Sequence, residues 1–209
     1  MKNLVEILER THDLSDAELK TIIETDVYDA ELFAAADRVR RANYGDAVYI
    51  RGLIEFTNYC KNNCYYCGIR RDNRCAERYR LTKEQILACC QEGYALGFRT
   101  FVLQGGEDPY FTDERMCEIV SAIRENYPDC AITLSIGEKS RESYQKYFDA
   151  GANRFLLRHE TAMRSITVNS IRKSSPPRCA SAACMISRRS VIRWAPALWW
   201  VLRGRQRKI

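Results

Sequence analysis

The hydrophobic rhythm of the chain changes near residue 47. Before it, apolar side chains recur three and four positions apart over residues 16–23 and 30–39, the spacing that lines one face of a helix. Ser15 or Asp16 can cap the first of these helices. Residues 1–46 are therefore expected to form a helical leader of two or three helices serving as scaffold. From Ala47 the rhythm turns β-like, and residues 48–56 predict a first strand. A long loop over 57–80 follows. Thr82 and Gln85 then suit a capping box opening a helix that runs to about Leu96 and stops at Gly97.

Beyond that point strand and helix alternate. Residues 100–104 predict a short buried strand, 113–126 a helix, 131–135 a third strand, 142–149 a third helix halted by Gly151, and 154–158 a fourth strand. Alternation with connections of a few residues predicts βαβ units and a parallel sheet, an α/β fold. In such sheets ligands gather at the carboxyl ends of the strands. All four predicted strands end in polar text. The first leads to cysteines and the second to Gln104-Gly105-Gly106-Glu107-Asp108. The third leads to Ser135-Ile136-Gly137-Glu138 and the fourth to Arg158-His159-Glu160-Thr161.

The cysteines stand as Cys60-Lys-Asn-Asn-Cys64-Tyr-Tyr-Cys67. Three thiolates from one loop can each take one iron of a cuboidal four-iron cluster, leaving the fourth iron open for chemistry. The same loop could instead hold zinc, although zinc sites usually pair two ligand sets. An open iron that chelates an amino acid needs acceptors for its N–H groups, donors for its carboxylate and partners for ribose hydroxyls. Glu107 and Glu160 can accept, Ser135 can do either, and Arg158 offers a planar fork. Gly105 and Gly106 allow close backbone approach.

Composition sharpens part of this. The chain has 209 residues, 46% hydrophobic and 29% charged, as expected of a globular domain. No run is long enough to cross a bilayer and the N-terminus has no apolar signal core, so a cytoplasmic protein without a membrane partner is expected. In a reducing compartment ten cysteines point to metal ligation or buried thiols. Cys75, Cys89, Cys90, Cys117 and Cys130 read as small hydrophobes.

The net charge of +6 is unevenly placed. Residues 163–209 carry eleven Lys and Arg, no acid and all three tryptophans. Such a tail could bind nucleic acid, but Arg188, Arg189 and Arg193 do not share a clean helical face and Pro196 interrupts it. No nucleic-acid partner is expected.

The cysteine spacing resembles the signature of the radical SAM superfamily. Glu55-Phe-Thr-Asn58, Cys67-Gly-Ile-Arg-Arg-Asp-Asn73, Arg78-Tyr-Arg80, Leu103-Gln-Gly-Gly-Glu-Asp-Pro-Tyr110, Leu134-Ser-Ile-Gly-Glu138 and Leu157-Arg-His-Glu-Thr-Ala162 resemble, more narrowly, the HydE group of FeFe-hydrogenase maturases. Methylornithine synthases and biotin-synthase-like enzymes are the related alternatives, and a non-enzymatic metal-binding module is the alternative of another class.

The resemblance implies a TIM-type (βα)8 barrel, here about its first four βα units over residues 47–162. It implies a 4Fe–4S cluster on Cys60, Cys64 and Cys67 that cleaves S-adenosylmethionine to a 5′-deoxyadenosyl radical. Gly105, Gly106, Glu107, Ser135, Arg158 and Glu160 would contact that nucleotide. Implied partners are an iron–cysteine–carbonyl–cyanide precursor, an electron donor such as ferredoxin or flavodoxin, and other hydrogenase maturases. The resemblance read by eye ends at Ala162, and the tail reads as the same coding sequence translated out of frame. A half barrel of this kind is expected to expose a strand edge and to be inactive.

Overall fold

A computed structural model describes residues 3–158 and the backbone of Arg193 and Trp194. Expectations for Glu160, for the motif around it and for the remainder of the 163–209 tail lie outside the described residues.

The chain divides into two compact units, the first being Met1–Tyr49. In it, α1 (Leu4–Thr11), α2 (Asp16–Glu24) and α3 (Asp29–Tyr44) form, with one turn of 3-10 helix at Asp26–Tyr28 ahead of α3. Ser15, not Asp16, caps α2, and its exchange of hydrogen bonds with Glu18 is a full capping box. Asn3 caps α1 and also donates to Glu31, while Arg38 donates to Glu9, so two polar ties join α1 to α3. Buried apolar side chains here are few, namely Leu4, Val5, Ile22 and Ala35.

The second unit begins at Ile50. Its strands are β1 (Gly52–Thr57), β2 (Thr100–Gly105), β3 (Ala131–Ser135), β4 (Arg154–Phe155) and β5 (Arg193–Trp194), adjacent in chain order and parallel throughout. Between them run α4 (Lys83–Ala95), α5 (Asp113–Asn126) and α6 (Arg141–Asp149). The α/β alternation expected from the sequence is thus present, with β1 starting later than residue 48. Val48, Tyr49 and Ile50 lie exposed ahead of it. The fourth strand is two residues long, shorter than 154–158. Of the fourth and first strands, at either of which an open edge is expected, the fourth is paired, since β5 joins β4 through Arg154 and Phe155, while β1 ends the order.

One face of the sheet builds the core. Ile54 and Phe56, Phe101 and Leu103, Ile132 and Leu134, and Phe155 alternate along their strands. They pack with Ile86 and Cys90 of α4, Met116, Ile119, Val120 and Ile123 of α5, and Tyr144 and Tyr147 of α6. The opposite face is different, since Leu53 and Glu55 are exposed while Phe56 next to them is buried. Helix ends are set locally. Thr82 and Gln85 form the capping box of α4, and Gly97 and Gly151 take positive φ where α4 and α6 turn back to the sheet. Arg124 then locks the end opposite the site, donating to the carbonyls of Pro128, Cys130 and Gly151 and to Asn153.

Candidate functional site

The loop after β1 returns on itself. Thr57 pairs with Arg80 in an antiparallel bridge, and the Leu81 N–H donates to the Phe56 carbonyl at 2.7 Å. The segment carrying Cys60, Cys64 and Cys67 is therefore a closed excursion whose two ends meet at the sheet. Inside it, the guanidinium of Arg78 donates to four backbone carbonyls, those of Asn58, Ile69, Arg70 and Asn73. One planar cation with five donors can satisfy several inward-facing carbonyls at once, which neutral water would do with less rigidity. Asn58 completes the knot by donating to the Glu77 carbonyl and accepting from the Tyr79 N–H.

The three cysteines are partly buried and outside any disulfide. A turn closes between the second and third, the Cys67 N–H donating to the Cys64 carbonyl at 3.0 Å. Among the described residues no three His, Cys, Asp or Glu side chains are gathered to hold a single metal ion. A cuboidal cluster makes another demand, since each thiolate takes a separate iron and the sulfurs stand apart. Three thiols at this spacing on one loop suit that group by donor type and number.

The loop after β2 lies directly on the cysteine segment. A Cβ at Gly106 would sit 2.1 Å from the Tyr59 carbonyl oxygen and 2.8 Å from the Cys60 Cβ, and one at Gly105 would sit 2.7 Å from Thr57 Cγ2. The sequence reading gave these glycines to ligand approach. The structure spends their small size on packing against residues 57–60. Gly137, at φ +79°, serves Glu107 likewise, for a Cβ there would meet the Glu107 side chain at 2.2 Å. Gly105 and Gly106 thus seat the loop on residues 56–60, and Gly137 makes room for the Glu107 side chain. The Lys61 N–H donates to the Glu107 carbonyl at 2.9 Å, and Lys61 Nζ stands 3.3 Å from Glu107 Oε2.

Lys139 adds a second cation nearby. Burial holds its pKa below the ordinary lysine value, with Lys61 acting in the same direction and Asp113 and Glu107 opposing. Ser135 closes β3 beside Gln104 and is a buried residue. On the same rim Gln104 donates to Glu55 at 3.0 Å and accepts from Arg158 at 2.9 Å. Arg158 is thereby placed in a polar row crossing the sheet from β1 toward the end of the fourth strand.

The structure therefore brings Cys60, Gly105, Gly106 and Glu107 together by contact, and places Ser135 and Arg158 beside them through Gln104. Several participants had no role assigned from sequence: Glu55, Arg78, Arg80 and Asp108, which stand in the quoted motifs, and Lys61 and Lys139. Arginines recurring every few residues across a cysteine loop were the available signal.

The profile of the radical SAM superfamily matches residues 54–179, running past Ala162. The FeFe-hydrogenase maturase subunit HydE of Thermotoga maritima is 48% identical over 135 residues, which is 65% of this chain and 38% of that protein. The 3-methylornithine synthase of Methanosarcina barkeri is 32% identical over 154 residues, 72% of this chain and 43% of that protein. The chain thus spans less than half the length of these curated relatives. Among solved structures, methylornithine synthase superposes with a TM-score of 0.82 at 27% identity, covering 92% of this chain and 58% of that one. The maturase HydG superposes with a TM-score of 0.76 at 21% identity over 88% of this chain and 43% of its own, a likeness of fold.

Proposed function

The chain belongs to the radical SAM superfamily, a family of enzymes with a TIM-barrel-like fold that use a 4Fe–4S cluster and S-adenosylmethionine; from that premise we propose that Cys60, Cys64 and Cys67 hold such a cluster and that the adjoining rim binds the nucleotide. The observation that carries this reading is the seating of Gly105–Gly106–Glu107 on the Cys60 segment, without space even for a methyl group. Such seating supports Glu107 as a carboxylate acceptor near Cys60, the proposed first cluster ligand. Glu107 would accept from the ammonium of the methionine end, replacing its present partner Lys61. Ser135 would meet the ribose, and Arg158 the carboxylate. Glu160, which follows Arg158 closely in sequence, is proposed as a further nucleotide contact.

When bound, the cluster supplies the single electron that breaks a carbon–sulfur bond of the nucleotide. This chain's own residues orient and shield. Arg78, by holding four carbonyls of the cysteine loop, would keep Cys60, Cys64 and Cys67 in place around a bound cluster. The apolar layer beneath the rim excludes water from one side of the site.

A role in assembling the active-site cluster of FeFe-hydrogenase is the finer reading. It is supported by the identity to the HydE subunit, which exceeds that to methylornithine synthase. The substrate would be an iron–cysteine–carbonyl–cyanide precursor, the electron donor a ferredoxin or flavodoxin, and the other maturases its functional neighbours. Methylornithine synthesis is the second reading, favoured by the likeness of fold to that enzyme.

The deciding experiment is anaerobic reconstitution of the full chain with iron and sulfide, followed by electron paramagnetic resonance of the reduced protein. S-adenosylmethionine should shift the signal, because it would occupy an open iron. A reconstituted cluster whose spectrum ignores the nucleotide would leave only the metal-module alternative.

A further inference from the structure

Asp108 is the most enclosed charged group on the rim. Its side chain is 1% exposed, and four donors converge on its two oxygens. Arg80 contributes Nε at 2.7 Å and Nη2 at 3.0 Å, Thr57 its hydroxyl at 2.8 Å, and Tyr110 its N–H at 3.0 Å. The Arg80 guanidinium is also sandwiched, lying 3.9 Å from the ring centre of Tyr59 and 4.8 Å from that of Tyr110. The carboxylate is out of water while Arg80 keeps 35% of its side chain exposed; a buried carboxylate persists only if its oxygens are well satisfied, and removing its cation is costly.

The location of the pair matters more than its strength. Thr57, Tyr59 and Arg80 belong to the two ends of the cysteine loop, whereas Asp108 and Tyr110 belong to the loop after β2. The residues on both sides of Cys60 are tied to this hub. The Tyr59 N–H donates to the Thr57 hydroxyl at 3.2 Å while its ring carries the guanidinium, and the Lys61 N–H donates to the carbonyl preceding Asp108. On the facing side the Gly106 N–H reaches the Thr57 carbonyl at 3.3 Å, and the Asp108 N–H the Gly106 carbonyl at 2.9 Å. Cys60 and the glycine pair are therefore held against each other by these backbone bonds together with the side-chain ion pair.

We propose that Arg80 and Asp108 are positioning residues that set Cys60 in register with the Gly105–Glu107 loop, so that cluster ligand and nucleotide acceptor are held at one spacing. The proposal rests on the cofactor reading above, but its first measurement does not need the cofactor. Neither residue touches cluster or nucleotide; they act through Tyr59, Thr57 and Gly106. Arg78 anchors the loop beyond Cys67 through the carbonyls of Ile69, Arg70 and Asn73, as well as that of Asn58, so a defect at the pair should fall mainly on Cys60.

The test compares the parent chain with Asp108→Asn and the milder Arg80→Lys. In the metal-free protein, iodoacetamide labelling resolved by mass spectrometry reports each thiol, with exposed Cys75 as internal reference. Loss of charge-assisted hydrogen bonds should raise the Cys60 rate by about tenfold relative to Cys75, with Cys64 and Cys67 nearly unchanged. Asp108→Asn should be the larger effect and Arg80→Lys a partial rescue, since lysine keeps the charge but not the fork. After reconstitution, the variants should keep their iron but lose most of the nucleotide-induced spectral shift.

An unchanged Cys60 rate, or an equal rise at all three cysteines, overturns the proposal. If Asp108→Asn fails to fold, Arg80→Lys decides on the same labelling ratio. Selective Cys60 exposure in a protein whose parent cluster ignores the nucleotide would overturn the cofactor reading while leaving the clamp in place.

Discussion

Arg158 donates to the side-chain carbonyl of Gln104 at 2.9 Å, although 54 residues separate them in the chain. Gln104 passes the contact on to Glu55 at 3.0 Å, so β1, β2 and the segment after β4 share one polar row. Because Arg158 is exposed, Arg158→Ala should change stability by less than about 1 kcal/mol. Under the proposed function it should still raise the nucleotide concentration needed for half of the spectral shift by about tenfold. Thermal melting and a nucleotide titration check the two halves separately. A large melting defect with unaltered titration would assign Arg158 to the fold alone.

Two glycines near the cysteines make a matched pair. Gly106→Ala should cost about 1–3 kcal/mol through overpacking, because its methyl would strike backbone at Tyr59. Gly68→Ala, directly after Cys67, should stay within about 0.5 kcal/mol, since a Cβ there meets nothing within 4 Å. Denaturant melts of both variants provide the comparison, and equal losses would contradict the packing described.

Acid should find two weak points. At Asp108 burial raises the pKa, but hydrogen bonds from Arg80, the Tyr110 N–H and Thr57 outweigh it and leave the group below its ordinary value. Asp113 behaves alike, burial being outweighed by the hydroxyls of Ser143 and Tyr147 with help from Lys139 and Lys146. A carboxyl with a depressed folded pKa contributes stability that is complete above its unfolded value and lost as pH falls through the folded one. Stability should therefore hold above about pH 4 and decline below it. Asp108→Asn should be less stable than the parent at pH 7 and approach it in acid, as urea melts across that range would record.

The remaining cysteines should differ in reactivity. Burial pushes the Cys90 thiol up to about 12, with Cys89 and Cys130 adding in the same direction, and burial likewise raises Cys130. Cys75 and Cys89 are exposed. Since the thiolate is the nucleophile, alkylation at pH 8 should modify Cys75 and Cys89 early and spare Cys90 and Cys130 until the protein is unfolded. Early labelling of Cys90 in the native protein would mean that the core around α4 is looser than described.

Much of the fold was legible in order of residues. Residues 113–126 and 131–135 form the helix and strand that periodicity predicts, and the Thr82–Gln85 box caps α4, because these elements depend on spacing and on groups a few positions apart. The cysteine spacing and the polar text at each strand end pointed to one rim for the same reason: parallel α/β alternation sends every strand's carboxyl end the same way.

What the sequence by itself determined, then, was the type of element, the direction of the sheet and the identity of the cysteine loop. Only the tertiary structure decided what the glycines serve, that Arg78 holds the loop's carbonyls, and that Asp108 is enclosed by Arg80 rather than facing solvent. Those outcomes depend on backbone brought together from distant positions, such as Thr57 and Asp108, which are 51 residues apart. Local spacing cannot encode such a meeting; close packing and the cost of leaving a buried charge unpaired settle it once the strands have paired.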